Sequence, residues 1–148
     1  MRTIKFKGKV GRGSAEGEWK IGALIVNKPD EDWIKKFGSN VFILESDSDV
    51  KFPVSEKTVG QFTGFYDENN KEIYEGDIIQ WDLAPYVVEW LEKCGEFILY
   101  NEEDTMSISC TDGCHIVGNI HDDHRLYWTL WADYLKKEEE LAENPVQR

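Results

Sequence analysis

The chain has 148 residues, a length that suffices for one domain or two small subdomains. Aromatic residues make up 13% of it, including six Trp, and this content argues against disorder. Its net charge of −12 makes direct binding to nucleic acid or to an anionic membrane unexpected, because phosphates repel an acidic chain. A partner with a basic surface is the electrostatic complement of such a chain, and simple solubility is the alternative reason for the charge.

Neither a membrane span nor a secretory signal is expected. No stretch approaches the roughly 20 apolar residues that a spanning helix needs, and residues 2–5 are not followed by an apolar run. Cys94, Cys110 and Cys114 are odd in number and sparse, which favours reduced thiols over a disulfide framework. We therefore expect a cytoplasmic protein.

The N-terminal part is expected to form strands around one short helix. The predicted strands cover residues 3–7, 18–26 and 41–44, with a glycine-rich loop over 8–17. Residues 29–38 predict the helix, because Pro29 suits the first turn, acids precede lysines, and Gly38 suits the C-terminal cap. Trp33 and Phe37 are four residues apart, so both are expected to face the sheet.

The stretch from residue 58 to residue 81 alternates strand-favouring residues with turn signals. Residues 67–70, Asp-Glu-Asn-Asn, bond readily to their own backbone and tolerate left-handed geometry, which predicts a hairpin loop. Residues 75–77, Glu-Gly-Asp, predict a second turn that leads directly into a strand over 78–81.

Strands of four to six residues separated by short polar turns follow residue 81. They cover residues 86–90, 96–100, 106–110 and 114–120. This spacing favours an antiparallel meander that closes into a small barrel. The expected fold class is mainly β, or β-dominated α+β. We expect an N-terminal β subdomain with a short helix at 1–57, a small antiparallel barrel at 58–121, and an amphipathic C-terminal helix with its tail at 122–148.

Residues 125–143 predict a helix that Asp122 and Asp123 cap. Its apolar side chains form one stripe at helical spacing, made of Leu126, Tyr127, Leu130, Trp131, Tyr134 and Leu135. The stripe carries two Tyr and a Trp, which is wide for packing on a closed barrel. Two interpretations stay open, namely packing on the chain's own core and contact with a second copy in a homo-oligomer.

One group has the residue types that ligate metals: Cys110, Cys114, His115, His121 and His124. The spacings of the Cys pair and of the pair His121 and His124 are close to those of structural zinc sites. However, Cys114 and His115 point to opposite faces if the strand predicted there forms. The same geometry disfavours Cys114 and His115 as a nucleophile and its base. We therefore expect no metal, no cofactor and no catalytic residue.

Two elements of the central stretch resemble the signature of the YopX family of phage and prophage proteins. They are Thr-Val-Gly-Gln-Phe-Thr-Gly at residues 58–64 and Ile-Tyr-Glu-Gly-Asp-Ile at residues 73–78, joined by an Asp/Asn/Lys turn. Similar pieces lie at 4–9, 19–24, 88–90 and 116–121, so the resemblance extends over residues 1–121. It implies a phage-encoded protein that self-associates in the bacterial host cell, and it brings no established activity and no catalytic residues.

We expect a phage or prophage accessory protein that binds other proteins and is not an enzyme. Two versions of this expectation differ in the partner. In the first, the acidic surface binds a basic host protein, as a regulator, an inhibitor or a mimic of nucleic acid. In the second, the chain is a self-assembling scaffold whose terminal helix supplies the contact. An enzyme would instead need a deep pocket lined by carboxylates with raised pKa values.

Overall fold

The computed structural model describes residues 1–28, 30–110 and 112–144, without the side chain of Cys110. Pro29, predicted to start the short helix, therefore lies outside the described residues. Antiparallel strands dominate, which confirms the mainly β fold class. The chain divides into two compact units, Met1–Gly64 and Phe65–Arg148. Among the described residues, no helix is both long enough and apolar enough to cross a membrane.

The described elements are strands β1 (Phe6–Lys9), β2 (Trp19–Val26), β3 (Val41–Glu45), β4 (Lys51–Pro53), β5 (Gly60–Tyr66), β6 (Glu72–Tyr74), β7 (Asp77–Trp81), β8 (Ala84–Leu91), β9 (Glu96–Tyr100), β10 (Thr105–Ser107) and β11 (His115–Asn119), with helices α1 (Glu31–Phe37) and α2 (Leu126–Glu143). Short 3-10 turns cover Glu56–Thr58 and Ile108–Cys110. The strand order is β4-β3-β2-β1-β5-β6 in the first sheet and β10-β9-β8-β7-β11 in the second.

Alternation along the strands of the first unit places its apolar side chains on one face. Leu24 of β2 pairs with Ile43 of β3, and Phe6 of β1 pairs with Gly22 of β2. Side chains of paired residues share a face of the sheet. The buried core on this face consists of Val41, Ile43 and Val54, with Phe6, Leu24 and Val59 packed against it.

Helix α1 ends where its sequence indicates but begins later than predicted, because Asp30 is its N-cap and not a residue of its first turn. The Asp30 carboxylate accepts hydrogen bonds from the backbone N–H groups of Asp32 and Trp33, at 2.9 and 3.1 Å. Gly38 closes the helix with a positive φ of 76°, as predicted. Trp33 and Phe37 contact Phe42 of the sheet, with ring centroids 5.9 and 5.7 Å away. The two side chains therefore face the sheet as expected, although Trp33 keeps 39% of its surface exposed.

The second unit buries both faces of its sheet. One core cluster includes Ile73, Ile79, Tyr86, Val88, Phe97, Leu99 and Ile108. A second cluster forms where α2 packs on the sheet, and it joins Tyr127 to Ile78 and Val87. Helix α2 starts close to the predicted position, because Asp123 Oδ1 accepts hydrogen bonds from the backbone N–H groups of Arg125 and Leu126.

The prediction of a small barrel over residues 58–121 is wrong, because the strands β7 to β11 form an open sheet. Closure would require hydrogen bonds between its end strands, β10 and β11. Strand β10 is only three residues long, and β11 pairs with β7 across an irregular register. The loop after β5 binds β11 instead, since Asp67 Oδ2 accepts from Ile116 N and Glu68 N donates to Cys114 O. Helix α2 packs on one face of this open sheet and buries the apolar side chains there.

The close approach of β2 and β3 depends on Gly22. A Cβ at this position would overlap the carbonyl oxygen of Leu44, whereas one at Gly11 would lie 3.8 Å from its nearest neighbour. We expect Gly22→Ala to lower the free energy of unfolding by about 3 kcal/mol, since the strands must separate. Gly11→Ala is the control, with a change below about 0.5 kcal/mol. Urea denaturation followed by Trp fluorescence measures both, and equal stability of the two variants would contradict the packing described.

Candidate functional site

Asp77, in the second element of the resemblance, accepts hydrogen bonds from two other parts of its unit. Its Oδ2 accepts a hydrogen bond from Tyr74 N at 2.8 Å, and its Oδ1 accepts one from Asn119 Nδ2 at 3.0 Å. Both Asp77 and Asn119 are buried. Gly76 has a φ of 90°, and its backbone N–H and C=O bond to Val88 and Ile120. The turn therefore joins β7 to its neighbouring strands, and the Asp77 carboxylate stabilises this connection through its two hydrogen bonds.

Asp67, at the end of β5, has a similar structural role. Its carboxylate accepts hydrogen bonds from the backbone N–H groups of Lys71 and Asn69 at 2.9 Å and of Ile116 at 3.1 Å. Burial opposes ionisation of this group, but the three hydrogen bonds outweigh it and hold the pKa of the carboxyl below its usual range. An ionised, fully bonded carboxylate is a poor general acid or base at neutral pH.

The residues with metal-ligating types are dispersed. Cys114 is buried, His124 is exposed, and His115 Nδ1 lies 3.3 Å from Glu68 Oε1. The His121 ring lies beside Gly76. The side chain of Cys110 lies outside the part of the chain that the structure describes. Within that part, no three His, Cys, Asp or Glu side chains are grouped so that they could hold a metal ion.

The six side chains of the predicted helical stripe divide by burial. Tyr127 and Trp131 are buried, and Leu126, Leu130 and Tyr134 are partly buried against the core clusters of their own unit. Leu135 keeps 38% of its surface exposed. The stripe thus serves the packing interpretation within the chain. Its use as a contact between copies stays a prediction.

Trp128 is an exposed aromatic side chain beside this stripe, and helical periodicity does not single it out. Trp128 is 57% exposed, and its ring centroid lies 5.1 Å from that of Tyr127. The Tyr127 hydroxyl donates to Glu102 Oε1 at 3.5 Å, which joins α2 to the acidic turn between β9 and β10. Burial raises the pKa of Tyr127 to about 12, and the negative charge of Glu102 acts in the same direction.

Charge is distributed very unequally between the two units. Residues 1–64 contain eleven Lys and Arg and nine Asp and Glu, a net charge of +2. Residues 65–148 contain six Lys and Arg and twenty Asp and Glu, a net charge of −14. The acidity of the chain therefore belongs to the second unit, and the overall value of −12 conceals this division.

A hollow of about 280 Å³ lies in the first unit, between α1 and the segment that follows β4. Ile34, Phe37, Pro53 and Val54 supply its apolar walls, and Glu56 is the one carboxylate among the described residues that line it.

Comparison with known proteins gives a family and a fold. A family model described as YopX protein matches residues 23–127. This range contains both signature elements and extends past residue 121, whereas the flanking piece at 4–9 precedes it. This chain is similar to a solved structure, the crystal structure of protein EF1440 from Enterococcus faecalis, with 19% sequence identity and a TM-score of 0.51. The match covers 86% of this chain and 99% of that chain. At this identity the likeness concerns the fold alone. The comparison with curated proteins found no match.

Removal of the Asp77 carboxylate should destabilise the second unit. We expect Asp77→Ala to lower the free energy of unfolding by about 3 kcal/mol, because Tyr74 N and Asn119 Nδ2 each lose a buried acceptor. The double variant with Asn119→Ala should cost less than the two single changes combined, since the two side chains share one hydrogen bond. Urea denaturation of the four proteins in this cycle measures the coupling, and strict additivity would contradict it.

Stability at alkaline pH should depend on Tyr127. Its pKa in the folded chain exceeds the ordinary value of 10.0, so its contribution is fully present below that pH and is lost as the pH rises towards 12. Tyr127→Phe should flatten the fall in the free energy of unfolding over this window. Tyr66, which is 53% exposed, provides the control variant Tyr66→Phe, expected to keep the wild-type slope. Equal slopes for both variants would contradict the burial of the Tyr127 phenol.

Proposed function

The chain belongs to the YopX family, and we propose that it is a phage or prophage accessory protein that acts without catalysis, by binding a basic protein through its acidic second unit. The proposed setting is the cytoplasm of the bacterial host. Direct contact with nucleic acid or with an anionic membrane is not part of the proposal, since phosphates would be repelled by this unit.

The observation that carries the proposal is the division of charge between the units. A net charge of −14 in residues 65–148 produces a strong negative potential around one part of the chain. Such a potential accelerates association with a positively charged surface and disfavours neutral and acidic partners. The near-neutral first unit, at +2, adds little to this field.

Two kinds of basic partner fit this field. One is a host protein with a basic surface of its own, which the chain would regulate or inhibit. The other is a nucleic-acid-binding protein, whose phosphate site the carboxylates would occupy as a mimic. In both cases the affinity falls as the salt concentration rises, because mobile ions screen the charges.

Self-assembly is the second candidate, and the exposed flank of α2 favours it. Trp128 and Leu135 lie seven residues apart and keep 57% and 38% of their surfaces exposed. Large apolar side chains on a helix are typical of contacts between proteins. Repulsion between two units of −14 opposes a contact of this flank with its own counterpart, so we place the basic partner first.

Affinity capture from bacterial lysate tests the proposal. The tagged full chain, after nuclease treatment, should retain a stoichiometric basic protein at low salt and release it at high salt, as identified by mass spectrometry. The variant Glu102→Gln, Glu103→Gln, Asp104→Asn should retain several-fold less of it. The variant Glu16→Gln, Asp47→Asn, Asp49→Asn removes the same number of exposed carboxylates from the first unit and should retain as much as the wild type.

The outcomes separate the two candidates. A partner that stays bound at high salt, or that is lost equally from both variants, would exclude binding through the acidic second unit. Recovery of the bait alone, together with a native mass of several chains by light scattering, would support self-assembly in its place.

A further inference from the structure

The acidic turn between β9 and β10 has a fixed conformation. Asn101 is buried, and its Oδ1 accepts hydrogen bonds from the backbone N–H groups of Glu103 at 3.0 Å and Asp104 at 2.7 Å. Its Nδ2 donates to the Pro85 carbonyl oxygen, and its backbone N–H donates to the Asp104 carbonyl oxygen. Glu102, Glu103 and Asp104 are exposed around this anchor. The turn therefore presents three carboxylates with little loss of backbone entropy on binding.

An exposed aromatic surface adjoins the turn. Tyr127 stands between them, with its ring 5.1 Å from the ring of Trp128 and its hydroxyl 3.5 Å from Glu102 Oε1. Trp128 is 57% exposed on α2, and Tyr100, the last residue of β9, is 38% exposed. One tyrosine side chain thus separates an indole face from a carboxylate. We call this surface, made of Tyr100, Glu102, Glu103, Asp104 and Trp128, the aromatic–acidic face.

We propose that the aromatic–acidic face binds an arginine-bearing segment of a partner protein. The guanidinium group is planar, so it stacks on an indole and at the same time donates paired hydrogen bonds to a carboxylate. Lysine offers a point charge without the planar fork and satisfies only part of this arrangement. The inference rests on the proposed function, and it specifies the surface and the chemistry of the partner.

Other occupants fit this face less well. Nucleic acid is repelled by the three carboxylates and by the net charge of −14 around them. The same face of a second copy brings the same charges and is repelled too. A purely apolar segment would cover Trp128 and Tyr100 but would bury the adjacent carboxylates without partners, which is costly.

Arg125 is the cation nearest to Trp128 along the chain, three residues before it. Residues three apart at a helix start are neighbours on its surface, so Arg125 competes with an incoming arginine for the same field. Its backbone N–H and C=O serve the helix start, and neutralisation of its side chain leaves these bonds in place. We expect Arg125→Gln to strengthen binding of an arginine peptide about threefold.

A titration with defined peptides tests the proposal on the full chain. The probes are a short peptide of alternating Arg and Gly, and the same peptide with Lys in place of Arg. Binding is followed through the indole N–H signals of the six Trp residues by NMR, with the Trp128 signal assigned from Trp128→Phe. We expect the Arg peptide to move the Trp128 signal at low salt, to bind about tenfold more tightly than the Lys peptide, and to lose this advantage in Trp128→Ala.

Trp90 provides the matched control in the same acidic unit. It is 42% exposed, and it lies on the opposite face of the sheet from Tyr100, because Val87 pairs with Tyr100 and lies three residues before Trp90. Trp90→Ala should leave the preference for Arg intact. Peptide binding that moves other indole signals and spares Trp128 overturns the proposed face alone. Failure of both peptides to bind the wild-type chain at low salt overturns the face and the electrostatic function together.

Discussion

The buried Asp77 carboxylate is the constraint on which the second unit depends. It holds Tyr74 N on one side of the turn and the Asn119 side chain on the other. Asn119 in turn accepts from the backbone N–H of His121 and, through its carbonyl, from Asp123, whose carboxylate caps α2. A continuous chain of hydrogen bonds therefore runs from the start of β7 to the start of the helix. A buried carboxylate persists only when its partners are in place, so these elements must form together.

Local chemistry explains which parts of the fold could be predicted from the sequence. The left-handed Gly38 and the hairpin loop at Asp67 depend on contacts within a few residues, and the structure has both. The cap at Asp30 is equally local, but the sequence pattern predicted Asp30 inside the helix. Barrel closure depends on which distant strands meet. The meander pattern is compatible with a closed barrel and with an open sheet. In the open sheet, the Asp67 loop is hydrogen-bonded to β11. Asp67 and Ile116 are 49 residues apart in sequence, so no local sequence pattern predicts this contact.

The aromatic–acidic face likewise depends on contacts between distant parts of the chain, which local sequence patterns do not predict. Helical spacing correctly grouped Tyr127 and Trp131 as residues of one stripe, and both are buried. Trp128 follows Tyr127 directly and falls on the flank of that stripe, so periodicity alone gave it no role. Its relation to Glu102 arises only because α2 packs beside the turn after β9. The charge division was present in the sequence, but a single net value for the chain averages it away.

The proposed basic partner would give that division of charge a role beyond solubility. A chain needs a net charge away from zero to stay dispersed, and the same −12 spread over both units would meet this need with weaker repulsion inside either unit. Concentration of −14 in residues 65–148 raises the self-repulsion of one unit and lowers its stability. The basic partner that we propose would remove this penalty on binding, because it would neutralise charges that the folded unit holds close together. In the proposed complex, release of this self-repulsion would contribute to the free energy of association.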